Sequence, residues 1–481
     1  MDLVIEIEPG AGEKTAAVYR ALRAAIVDGR VPSGHRLPAT RVLAADLGVS
    51  RGSVAGAYER LTAEGYLTAR VGAGTFVAAA PASRRAPRPA TDPLRPRSGW
   101  TFTPLRTSGE EPAPRYDFRT GIPDAHLFPF DTWRRLVVAE LRLRANGPGT
   151  YAEPSGHSAL RTAIARYLGY ARSLRTTAED VVVTNGTQHA LDLIGRVFLR
   201  PGDVVAVEEP GYPPARRLFT SLGARVTGIP VDDEGLVVAE LPPNTRLVYV
   251  TPSHQFPLGR VMSLARRQEL LEWARNRRVA IVEDDYDSEF RFSARPLEPL
   301  RTLDRSGRVL YVGTFSKSML PAVRTGFVLV PPGLRPAVVA ARQIGDGYGQ
   351  VAVQAALARF IDDGQLARHV RRAGRAYADR HARIVAQLER MPLLEVVPSA
   401  AGLHVTALLR PGAADPLRVV TAARRAGLAV ENLADYAAEG PPSRAGLVFG
   451  FGAVDPDLIE DGLACLQPLV EQGARRDAEA Q

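Results

Sequence analysis

Lysine is almost missing from this chain. Of the 61 lysines and arginines in 481 residues, only Lys14 and Lys317 are lysine. An arginine keeps its proton in a protein, whereas a lysine in a dry pocket can lose it and attack a carbonyl to form a Schiff base. The scarcity therefore draws attention to Lys317, which sits in a polar loop between two apolar runs. Cysteine is reduced to Cys465, which excludes an intrachain disulfide and fits a reducing cytoplasm. No apolar run approaches the roughly 20 residues needed to cross a bilayer. The segment Met1–Glu6 has neither the basic start nor the cleavage site of a secretion signal. A cytoplasmic protein with no membrane partner is expected, and no metal. No internal repeat is evident.

A hydrophobic content of 45% and a charged content of 23% describe an ordinary globular protein. A length of 481 residues exceeds the roughly 250–300 that one core sustains, so two or three domains are expected. The net charge of +9 permits nucleic acid as a partner without demanding it.

Residues 15–27 read as an amphipathic helix carrying Val18, Leu22, Ala25 and Ile26 on one face. Residues 37–47 read as a second helix. Gly48 opens a short turn, and Ser50 is placed to cap a third helix over residues 51–64. Residues 65–77 alternate around a glycine-rich tip, as a hairpin does. Three helices and a hairpin make a winged helix-turn-helix. Ser50, Arg51, Gly52 and Ser53 put a short polar face at the start of the third helix, the kind of surface that reads a major groove. The segments Leu37–Arg41, Leu47–Arg51 and Gly74–Val77 resemble the GntR family of bacterial DNA-binding domains. That resemblance implies DNA contacts from Arg41, Ser50, Arg51 and Ser53, with the Gly72–Gly74 wing tip near the minor groove. Ala55 stands where some members carry an arginine. Residues 79–114, rich in proline, arginine and alanine, are expected to form an extended tether.

From residue 115 strands and helices alternate. Apolar runs at 180–184, 203–207, 246–250, 278–282 and 308–312 each lead into polar residues, with helical stretches such as 160–173 and 264–275 between them. This pattern implies a mostly parallel sheet covered on both faces, with ligands beyond the carboxyl ends of the strands. The polar residues at those ends form a coherent set. Gly186 and Thr187 open a helix whose N-terminal amides suit a phosphate. Tyr212, on a proline-stiffened turn, offers a ring to stack on a flat heterocycle. The run Glu283–Tyr286 supplies carboxylates for a ring nitrogen and a phenol. Ser316 and Arg324 add phosphate ligands around Lys317. Each has an ordinary structural counterpart: a helix cap, a solvated strand end, a packed tyrosine. Taken together, in order along successive strand ends, they describe a pocket for pyridoxal 5′-phosphate, PLP.

This arrangement resembles the fold-type I PLP-dependent aminotransferases: an α/β domain with a mostly parallel sheet and a smaller C-terminal α+β part, here over residues 115–475. The resemblance implies a Schiff base at Lys317, Asp284 as partner of the ring nitrogen, Tyr286 on the ring hydroxyl and Tyr212 stacked on the ring. It gives the phosphate to Gly186, Thr187, Ser316 and Arg324. Tyr151 resembles the tyrosine that reaches the neighbouring subunit's phosphate, which implies a homodimer with shared sites. Two positions depart from the enzymes. Phe256 replaces an asparagine that bonds the ring hydroxyl, and Val448 stands about where an arginine holds the substrate carboxylate, with Arg444 a distant substitute.

A winged helix over 1–78, a tether and an aminotransferase-like domain, in that order, resemble the MocR family of bacterial transcriptional regulators. The implied function is a cytoplasmic regulator that binds a double-stranded operator and senses PLP or a small amino compound through Lys317. Two other readings stand beside it: a working aminotransferase with an added DNA-binding head, and a plain DNA-binding repressor whose large domain only dimerises.

Overall fold

The computed structural model describes residues 14–78, 100–103, 114–142, 151–292, 298–399, 401–438 and 444–479. The chain divides into two compact units, Met1–Trp100 and Thr101–Gln481. Most of the expected tether lies outside the described residues.

In the first unit, α1 (Lys14–Val27), α2 (Thr40–Asp46) and α3 (Arg51–Ala63) pack around Val18, Leu22, Leu43, Val54 and Leu61. A hairpin of β1 (Leu67–Arg70) and β2 (Gly74–Val77) closes that core. The α2 helix starts three residues later than its apolar pattern suggests. Pro38 disfavours the helical conformation at Leu37, and the Leu37 amide instead donates to the Thr75 carbonyl at 2.8 Å, tying this segment to the wing.

The second unit is built on an eight-stranded sheet. Its strands are β3 (Val181–Thr184), β4 (Val204–Glu209), β5 (Arg225–Asp232), β6 (Gly235–Leu236), β7 (Thr245–Val250), β8 (Ala280–Asp285), β9 (Val309–Thr314) and β10 (Gly326–Leu329). They lie in the order β3-β10-β9-β8-β7-β4-β5-β6. The pairs β9–β8, β8–β7, β7–β4 and β4–β5 are parallel, while β10 runs antiparallel to both neighbours. Apart from β5, the strands are buried along most of their lengths because helices pack their apolar sides against both faces, among them α4 (Ser158–Arg172), α5 (Thr187–Phe198) and α6 (Leu264–Arg277). That double burial is why they read as unbroken Val/Ile/Leu runs. A second, antiparallel sheet of β11 (Leu394–Val396), β12 (His404–Leu409), β13 (Glu431–Asn432) and β14 (Gly446–Gly450), ordered β11-β12-β14-β13, forms the smaller C-terminal part. No described helix is long and apolar enough to cross a membrane.

Candidate functional site

Past the carboxyl ends of the parallel strands lies a cavity of about 290 Å³. Thr187, Tyr212, Asp284, Tyr286, Ser316, Lys317 and Arg324 all line it. They come from four separate segments at the same edge of the sheet: those following β3 and β4, the end of β8, and the loop between β9 and β10.

One end is built for an anion. Helix α5 begins at Gly186, whose φ of 89° is a conformation that favours glycine. No side chain caps this helix, so its first amides are left for a ligand, aided by the helix dipole. Arg324 lies beside it, its Nη2 donating to the Asn185 carbonyl at 2.8 Å. Ser316 completes this corner, with its amide and hydroxyl 3.1 and 3.0 Å from the Thr314 hydroxyl.

The floor carries a carboxylate. Alternation along β8 separates the three acids that the sequence offered together. Glu283 is fully buried and accepts from the Leu300 and Arg301 amides at 2.8 and 2.9 Å. Asp285 pairs with the buried Arg172 and with the Tyr311 hydroxyl. Asp284 alone of the three faces the cavity. Its Oδ2 accepts from the Tyr249 hydroxyl at 2.7 Å, while its buried Oδ1 has no partner among the described residues. Burial pushes this carboxyl up to about 7.

Lys317 reaches across from the loop after β9. Its Nζ donates to the Gly121 carbonyl at 2.6 Å. Burial lowers its pKa, opposed by the negative charges of Asp287, Asp284 and Glu431. The Tyr286 hydroxyl donates to the His254 carbonyl at 3.0 Å and lies 3.1 Å from His254 Nδ1. Tyr151 does not line this cavity: it is 92% exposed, with its ring edge-on to Tyr348. Arg444 is not at the site either. It is an exposed residue paired with Glu395 at 2.6 Å, and Val448 is buried in β14.

In the first unit, Ser50 Oγ accepts from the Ser53 amide at 3.1 Å and caps α3. Arg41, Ser50 and Arg51 are exposed beside it and Ser53 is half-buried, while Gly72 and Gly74 turn the wing tip. Arg60 is engaged within the unit, stacked 4.0 Å over the Tyr19 ring and paired with Glu64.

Residues 14–77 match the bacterial regulatory proteins of the gntR family, and residues 125–433 match aminotransferase class I and II. The chain is 37% identical to the probable rhizopine catabolism regulatory protein MocR of Rhizobium meliloti, over 94% of this chain and 92% of that protein. It is 34% identical to the pyridoxine biosynthesis transcriptional regulator PdxR of Corynebacterium glutamicum, over 94% and 95%. A kynurenine aminotransferase structure from Pyrococcus horikoshii matches with a TM-score of 0.68 and 30% identity, over 74% of this chain and 90% of that one. The chain belongs to the MocR-type transcriptional regulators. It is a GntR-type DNA-binding domain followed by a fold-type I aminotransferase-like domain.

Several residues of this MocR-type site escape a reading of the sequence. Tyr249 lies within an apolar strand and looks like core. Gly121 acts through its backbone. Asp287 and His404 line the cavity from segments far apart in the chain. His254, Asp287 and His404 bring ligand atoms within 4.8 Å of one another. Protein hydrogen bonds occupy them: His254 Nδ1 lies 3.1 Å from Asp287 and its Nε2 3.0 Å from Ser399 Oγ, and His404 Nε2 lies 3.0 Å from the Pro257 carbonyl.

Proposed function

We propose that this regulator holds PLP at Lys317 and senses PLP itself, or a small amino compound that joins it there, to control binding of its DNA-binding domain to an operator. One observation carries the reading: Asp284 presents a buried carboxylate oxygen, unpartnered among the described residues, to the same cavity that holds Lys317 and an uncapped helix N-terminus. A buried polar atom without a partner is costly, and a protonated ring nitrogen would satisfy it. The kynurenine aminotransferase that the large unit matches was solved in complex with PMP.

The residues fit the group. Thr187, Ser316, Arg324 and the Gly186–Thr187 amides would hold the phosphate, Asp284 the ring nitrogen and Tyr212 a ring face. Tyr286 would bond the ring hydroxyl. When bound, PLP supplies an aldehyde carbon that condenses with an amine and a ring that withdraws electrons. Burial favours the neutral, nucleophilic form of Lys317, and the Gly121 carbonyl fixes its direction. In a homodimer the exposed Tyr151 would reach the neighbouring site. Differential affinity of the ligand for two arrangements of that dimer would then bias the DNA-binding domains. Transamination as the main role is disfavoured by Val448 and by the engagement of Arg444 with Glu395.

The test is the absorbance spectrum of the purified protein with added PLP, beside Lys317→Ala. It is paired with gel-shift titration of duplexes selected from a random pool, with and without PLP. A cofactor band present in the wild type and absent from the variant, with DNA affinity that responds to PLP or an added amine, supports the reading. The absence of a band in both would leave a DNA-binding dimer without a cofactor.

A further inference from the structure

The wall of the cavity beyond Lys317 differs in kind from its phosphate end. Phe256 fills it, meeting the rings of Tyr212, Tyr286, Tyr436 and His404 edge-on at 5.1–5.9 Å. Val448 backs this wall, packed in one apolar cluster with Phe256 and Tyr436. Charge on this side is negative. Asp287 lines the cavity, and Glu431 stands behind Thr120, whose hydroxyl donates to it at 2.8 Å. Burial holds His404 in its neutral form. Among the described residues lining the cavity the one guanidinium is that of Arg324, at the opposite, anion-binding end.

A carboxylate brought to this wall would exchange water for aromatic surface and two nearby like charges, with no guanidinium among the described residues at this end to pair with it. An alkyl or aryl chain would meet rings that it can pack against. We infer that the effector side of the cavity takes a primary amine without a carboxylate, in preference to the amino acid that differs from it by that group alone. The discrimination works by penalising the competitor as much as by attracting the ligand. The inference rests on the reading of Lys317 as the PLP anchor and adds the chemical class of the effector.

The experiment uses the full-length protein loaded with PLP and three matched pairs: tyramine and tyrosine, agmatine and arginine, cadaverine and lysine. Binding is read by calorimetry and by the shift in melting temperature. In at least two pairs the amine should bind about tenfold or more tighter than its amino acid. Asp287→Asn should narrow that ratio, and Glu431→Gln provides the same test should the first variant fold poorly. Equal or tighter binding of the amino acids, or no binding by any amine, overturns the inference, as does a ratio unmoved in both variants. A protein that takes up no PLP at the outset instead overturns the parent reading, so the two failures are distinguishable.

Discussion

The Tyr249 hydroxyl donates to Asp284 Oδ2 at 2.7 Å, and this bond leaves Oδ1 as the oxygen still to be satisfied. Tyr249 is 2% exposed, so the bond is shielded from bulk water. The bond stabilises the ionised carboxylate against burial, which pushes it the other way. Tyr249→Phe should therefore raise the Asp284 carboxyl further and weaken PLP binding by roughly tenfold, the scale of a hydrogen bond to a charged group. A PLP titration of the two proteins measures this. Unchanged affinity would reduce Tyr249 to core packing.

Neighbouring aspartates should respond in opposite ways to the same substitution. Asp285 is matched to the buried Arg172, so Asp285→Asn strands a cation and should cost about 3–5 kcal/mol of stability. Asp284 has no such ion pair among the described residues, and Asp284→Asn removes a buried acid from the cofactor-free protein. That variant should melt no lower than the wild type yet lose PLP binding. Melting curves with and without PLP separate the two effects.

The sign of the pH dependence follows from the same carboxyl. Its folded pKa of about 7 lies above the ordinary aspartate value of about 4. The native state thus holds a proton that the unfolded chain has released. The stability this contributes is full below about pH 4 and is lost as pH rises through about 7. Without PLP, Asp284→Asn should match the wild type near pH 4 and become the more stable of the two near pH 8. Parallel melting curves at the two pH values would show it, and a constant gap between the proteins would refute it.

Gly121 constrains Lys317 from the opposite side. It has a φ of 72°, and a Cβ added there would lie 2.7 Å from Lys317 Nζ. Gly121→Ala should strain the turn by about 1 kcal/mol and displace the amine, lowering PLP uptake while leaving the DNA-binding unit folded. Retention of PLP on gel filtration, with DNA affinity measured alongside, is the check.

Much of this site was legible because parallel strands end at a common edge. A polar residue just past an apolar run is then near every other one, which is how Gly186, Tyr212, the acidic run from Glu283 and Lys317 are found without knowing the strand order. The same logic did not say which acid among Glu283, Asp284 and Asp285 faces the ligand, since that depends on the pleat and on what lies behind it. Tyr249 was hidden by its own strand, where a tyrosine reads as one more apolar residue. Phe256 was noticed as a departure, but the wall it forms with His404 and Tyr436 spans segments about 150–180 residues apart, a juxtaposition that no local pattern encodes. In the first unit the late start of α2 reflects Pro38 and a bond to the wing, again a non-local partner.

The DNA-binding surface yields a prediction with two distinguishable parts. Ser50 caps α3 through its hydroxyl, so Ser50→Ala should cost about 1 kcal/mol of helix stability and loosen the helix that carries Arg51 and Ser53. Arg41 and Arg51 are exposed; as phosphate ligands they would act almost independently of sequence. Replacing either with alanine should weaken binding to selected and random duplexes alike, and lower the slope of log affinity against log salt by about 1. A variant that loses affinity for the selected duplex alone, with its salt slope intact, would instead mark a residue that reads base edges. Salt-titrated gel shifts on both duplexes therefore assign each arginine to the backbone or to the groove.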